Sequence, residues 1–147
     1  MGSLEEGQEA LKNHIREKAL AARAKAGGRV DADTIIRFLE DPAVVRFPTE
    51  LRFSKDYLKP GEFAYAEPID GGSRRYVLWI HPFFEPRPEV WPLLIAYHIT
   101  TINYGSIVTH EEAELYGATL LGMDIDDYYQ TLCDLVDGMD PEATEID

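Results

Sequence analysis

Beyond Arg87 the chain contains no lysine and no arginine, although 14 of them precede that point. Residues 88–147 hold 13 of the 27 acids, beginning at Glu89, while residues 1–87 are nearly neutral. The net charge of −13 therefore sits almost wholly in the C-terminal part. Such a chain is a poor ligand for a phosphate backbone, so no nucleic-acid partner is expected. A one-signed stretch keeps a protein soluble, and it also fits a docking surface for a basic partner or a cation.

Other absences narrow the class further. Cys133 is the single cysteine, so no internal disulfide can form, and a reducing cytoplasmic setting is the expectation. No run of about 18 apolar residues occurs, so no membrane span is expected. The N-terminal residues lack the basic-then-apolar order of a secretory signal. No G-x-S-x-G elbow and no phosphate-cradling glycine loop is present. "MDIDD" lacks the glycine and distal glutamate of a calcium loop. Arg74-Arg75 is too small a basic spot to bind nucleic acid.

What is present suits one domain over 1–147, with 45% apolar residues to build a core. Ser3-Leu4-Glu5-Glu6 reads as a capping box opening a helix that Gly27-Gly28 end. Its apolar stripe, Leu11, Ile15, Ala19 and Ala22, is narrow and mostly small. Residues 1–28 are therefore expected as a peripheral N-terminal helix. Its Lys12, Arg16, Lys18, Arg23 and Lys25 suit packing against the acidic C-terminal half. A short helix follows, capped by Asp31 or Asp33 and stopped by Asp41-Pro42.

"TELRFS", "GEFAYAEPI" and "RRYVLWIHP" read as strands. Alternation puts Leu51 with Phe53 on one side and Phe63 with Tyr65 on one side. The turn at Asp70-Gly71-Gly72 predicts a hairpin. "PEVWPLLIAYHITTINYG" is apolar nearly all round and predicts the central, buried helix, ended by Gly105. Thr109-His110-Glu111-Glu112 opens another helix by a capping box. Asp124 caps a last one to about Val136, in which Cys133 is expected as a core residue. Residues 139–147 are expected as an acidic tail. The predicted class is α+β: a small, mainly antiparallel sheet packed by helices, a long N-terminal helix and an acidic helical C-terminal half.

Two sets of residues are candidates for function. His110 and Glu114 stand four apart on one helix face. With Glu111 and His98, and with His81 nearby, they could form an atypical divalent-metal site of a hydrolase. The competing expectation is that Glu112 caps its helix, the rest are solvated, and no metal or cofactor is held. In "HPFFEPRPEVW", Phe83, Phe84 and Trp91 are candidates for an exposed apolar patch, suited to a protein partner or self-association, or else for a cover over the sheet edge.

The helix segment "HITTINYG" resembles the zinc helix of small bacterial zincin-type peptidases, H-E-x-x-H-x-x-G. His98 matches the first histidine and Gly105 the glycine. The order of elements is also similar, over roughly residues 30–121. Ile99, however, stands at the general-base position and Ile102 at the second zinc ligand. Isoleucine neither ligates a metal nor accepts a proton. The resemblance therefore implies a zincin-like domain without catalysis, retained for binding or structure. The expected role is a non-enzymatic cytoplasmic interaction protein.

Overall fold

A computed structural model describes residues 3–69 and 75–145. The elements run α1 (Ser3–Lys25), α2 (Ala32–Phe38), β1 (Thr49–Phe53), β2 (Ala64–Ile69), β3 (Arg75–Ile80), α3 (Trp91–Tyr104), α4 (His110–Leu121) and α5 (Ile125–Glu145). The class is α+β, as expected. Among the described residues no helix is long and apolar enough to cross a membrane.

The sheet order is β1-β3-β2. β2 pairs antiparallel with β3, as a hairpin requires. The expected turn at 70–72, and Arg74 beside it, lie outside the described residues. β1 pairs parallel with β3, so the sheet is mixed, with one pairing of each kind. The cause is the path of the 54–63 connection. Ser54 donates its N–H to the Ile80 carbonyl at 3.0 Å, and His81 donates to the Phe63 carbonyl at 2.9 Å. The chain thus passes round the end of β3 and enters the sheet on the side away from β1.

Leu78 and Ile80 of β3 are fully buried, with Ala64 and Ala66 of β2 opposite them. The alternation in β2 is real, but its buried members are these alanines, and Tyr65 is exposed. Small side chains there let α3 come close to β2. The His81–Phe63 bond fixes which residues of β2 pair inward. By alternation, the backbone groups of Ala64, Ala66 and Pro68 point to the open edge of the sheet.

α3 is the central helix: Leu94, Ile95, Ala96, Ile99 and Ile102 have essentially no exposed surface. Each isoleucine so buried contributes roughly 2 kcal/mol. Pro92 sits in the first turn, where its missing N–H does no harm, and Gly105 ends the helix at φ +66°.

α1 docks along α4. Its stripe of Ile15, Ala19 and Ala22 is buried and belongs to the main core, so the helix expected at the periphery contributes its inner face to that core. Lys12 meets Glu111 at 3.6 Å, the expected pairing of the basic helix with the acidic half. Both side chains are exposed, so the pair contributes little. α2 is capped by Asp31, which accepts from Thr34 N–H at 3.0 Å. α4 has the expected capping box between Thr109 and Glu112, and Gly122 ends it in the left-handed conformation.

α5 runs on to Glu145, well past Val136 and through most of the segment expected as a tail. Gly138 does not end it, because Met139 on the next position is buried in the core. Further up, Tyr128 of α5 fills the space beside Gly117 of α4. A Cβ on Gly117 would overlap the Tyr128 phenol ring. The Tyr128 hydroxyl donates to the Leu93 carbonyl at 2.7 Å. One buried phenol therefore ties α5 across α4 to α3.

Candidate functional site

His98 is only 9% exposed and lies in the core side of α3. The rings of Phe63 and Tyr97 meet it edge-on, each with its centroid 5.3 Å away. Its Nδ1 is 3.3 Å from the Leu94 carbonyl oxygen. Burial lowers its pKa to about 4, against smaller upward pulls from the Leu94 carbonyl, the Glu62 charge and the Ala64 carbonyl. The ring is thus neutral at neutral pH and is held between backbone carbonyls. Ile99 and Ile102 of the same helix are packed in the core.

Among the described residues no group of three or more His, Cys, Asp or Glu side chains is placed to hold a metal ion. His98, His110, Glu111 and Glu114 are thus not placed as one metal-holding group, although His110 and Glu111 both lie close enough to act on the Glu114 carboxyl. Glu111 faces Lys12, and His98 is buried. Glu112 is spent on the cap, accepting from Thr109 N at 2.7 Å and Oγ1 at 2.8 Å. His81 accepts from the Phe83 N–H at 3.0 Å through Nδ1 and so starts the 3₁₀ turn Pro82–Phe84.

The expected aromatic patch is also altered. Phe84 is 0% exposed and belongs to the core, so it cannot present a surface. Trp91 is half-buried, donates Nε1–H to the Phe84 carbonyl at 2.8 Å, and packs on Phe53 of β1. Phe83 is half-buried, with the Arg87 guanidinium 4.5 Å from its ring centroid. The prolines fold this segment back on itself, and its aromatics close the end of the sheet and helix α3.

A different apolar surface is open. Tyr129, Leu132, Cys133 and Val136 recur along α5 at helical spacing, and Tyr97 and Phe63 face them across a cleft of about 140 Å³. Tyr129 is 51% exposed, and Cys133, expected in the core, lies half-buried on this wall. Glu114 of α4 reaches the same cleft. Partial burial raises its carboxyl pKa, His110 pulls it down, and Glu111 raises it again. Among the described residues Glu114 makes no ion pair, although it shares the wall of a neighbouring cavity with Lys12 and Arg16. Asp126, Asp127, Asp134 and Asp137 stand exposed along α5, also without an ion pair among the described residues.

The α5 half of this cleft was open to reading from spacing alone, as positions 129, 132, 133 and 136. Phe63 and Tyr97 come from distant segments, and nothing local in the sequence joins them to it. No family model, no curated protein and no solved structure matches this chain.

Proposed function

We propose that this chain is a non-enzymatic interaction protein whose α5 cleft seats a basic, amphipathic helix of a partner protein. The observation that carries the reading is an apolar cleft holding an unpaired, partly buried carboxylate, Glu114. A carboxylate in that setting gains from a cation brought on an apolar side chain face. The exposed acids of α5 extend the same charge beyond the cleft, and no base after Arg87 offsets them. Aromatic side chains such as Tyr97 and Tyr129 suit the centre of an interface. On this reading α3 is the packing remnant of a zincin-like helix, and a cytoplasmic partner fits the lone free thiol.

The test is calorimetric titration of the full chain with a synthetic Lys/Leu amphipathic helical peptide. A scrambled isomer of equal charge but no apolar face serves as the control. Saturable binding to the amphipathic peptide is expected, weakened at least tenfold by Tyr129→Asp and weakened again by salt. Equal binding of the scrambled isomer would show plain charge attraction and sink the proposal. Sedimentation of the chain alone gives the second arm. A dimer that Tyr129→Asp dissociates would identify a second copy, with its basic α1, as the occupant in place of a separate partner.

A further inference from the structure

A second cavity, of about 230 Å³, lies between α1, the connection from α2 to β1, the end of α3 and the middle of α4. It shares no lining residue with the α5 cleft. Its wall carries two cations, Lys18 and Arg46, and no acid. In a chain of net charge −13 that is a local inversion of sign. Among the described residues neither cation is in an ion pair. Asp41, next to the cavity wall at Pro42, is held instead by Lys25 at 2.6 Å.

The backbone beneath Arg46 is fixed. Asn103 accepts from Arg46 N–H at 2.7 Å through Oδ1 and donates to the Val44 carbonyl at 3.0 Å through Nδ2. The amide thus clamps the connection from α2 to β1 to the end of α3. The Arg46 guanidinium rests near the Phe47 ring, 5.4 Å from its centroid. Its charge also reaches the Tyr104 phenol on the cavity wall, lowering a pKa that burial raises.

Tyr116 supplies an independent observation. It is 1% exposed, yet among the described residues its hydroxyl has no hydrogen-bond partner. Among the described residues the only sealed side-chain polar atom without a partner is Thr100 Oγ1. The Tyr116 oxygen therefore keeps an opening, and Tyr116 lines this cavity. Tyr104 lies close enough to influence it electrostatically. Burial raises the Tyr116 pKa far above neutrality, so the group stays a protonated donor. Buried hydroxyls in folded proteins are nearly always satisfied, and an unsatisfied one at a cavity is a place for a ligand atom or water.

We propose that this cavity binds the phosphate group of a small phosphomonoester, with Lys18 and Arg46 supplying charge and Tyr116 and Tyr104 donating hydrogen bonds. A phosphate monoester offers several acceptor oxygens and, as its dianion, no donor. That complements a wall made of donors and cations. The volume leaves room for the esterified group beside the phosphate. Asn103 is a positioning residue, because its amide is occupied in holding Arg46.

The experiment uses the full chain with phenyl phosphate and inorganic phosphate as probes, followed by calorimetry and thermal shift, with acetate as the control anion. One-to-one saturable binding of phenyl phosphate is expected, tighter than acetate. Arg46→Gln, at an exposed position, is expected to weaken it at least tenfold, and Lys18→Gln several-fold. Tyr116→Phe separates ligand binding from folding. It removes an unpartnered hydroxyl, so the free protein should be as stable as before, while phosphate binding falls several-fold. Absence of saturable phenyl phosphate binding overturns the proposal. So does binding that Arg46→Gln and Lys18→Gln both leave unchanged.

Discussion

Replacing Thr100 by valine removes the one sealed side-chain polar atom that lacks a partner among the described residues. Thr100 sits in the buried middle of α3 with 0% of its surface exposed. On folding its hydroxyl leaves water and gains no hydrogen bond, which costs about 1–3 kcal/mol. Valine keeps the β-branched shape and has nearly the same helix propensity. It places a methyl group where the oxygen stands, so no cavity opens. Thr100→Val is therefore expected to stabilise the fold by about 1–2 kcal/mol. In a chain of this size that raises Tm by roughly 2–8 °C. Urea unfolding should show a higher midpoint at an unchanged slope, the mark of a stability change without a change in exposed surface. Two controls frame the result. Thr100→Ser keeps the hydroxyl and deletes a buried methyl, so it should cost about 1 kcal/mol. Thr101→Val, one residue on and exposed, should lie within about 0.5 kcal/mol of the parent. A Thr100→Val protein that is neutral or less stable, beside a neutral Thr101→Val, would refute the reasoning. It would mean that the hydroxyl is satisfied, by water or by a carbonyl one turn back.

Gly117→Ala should destabilise by about 2–4 kcal/mol, although alanine is the better helix former, because the new Cβ displaces the Tyr128 ring and breaks its bond to the Leu93 carbonyl. Urea midpoints measure this, and a neutral result would show that α5 can shift freely against α4. His98 gives a pH signature, since its folded pKa of about 4 lies below the ordinary 6.5. Above the unfolded value both states are neutral and its full contribution is present. As pH falls through the window down to the folded value, only the unfolded chain takes up the proton, and stability drops by about 1.4 kcal/mol per pH unit. His98→Gln should flatten that part of the stability profile, and an unchanged slope would show that other groups set it.

Local chemistry was legible in the sequence where it acts locally. Thr109 and Glu112 marked the start of α4, and the start of α2 was narrowed to Asp31 or Asp33, because a cap involves only neighbours along the chain. Isoleucine at 99 and 102 was enough to exclude a metal ligand at those two positions before any geometry. The parallel pairing of β1 was hidden, because Pro60-Gly61 says that the chain turns but not on which side of β3 it returns. The burial of Phe84 was hidden for a related reason: a proline-punctuated aromatic segment folds outward or inward according to what stands behind it. The cavity of Lys18, Arg46, Asn103 and Tyr116 draws on four separate segments. Its one trace in the sequence is that both its cations precede the all-acidic stretch.

The open side of β2 has a consequence for how other chains can meet this one. A sheet margin that offers a row of free amides and carbonyls is a template on which a foreign segment can align as an added strand. Along β2 that row is broken. Pro68 has no amide hydrogen to give, and the Ala64 carbonyl faces the His98 ring. Of these three residues only Ala66 keeps both its amide and its carbonyl for a guest backbone. A strand added on this margin would lose a bond on either side of Ala66, so recognition there leans on side chains.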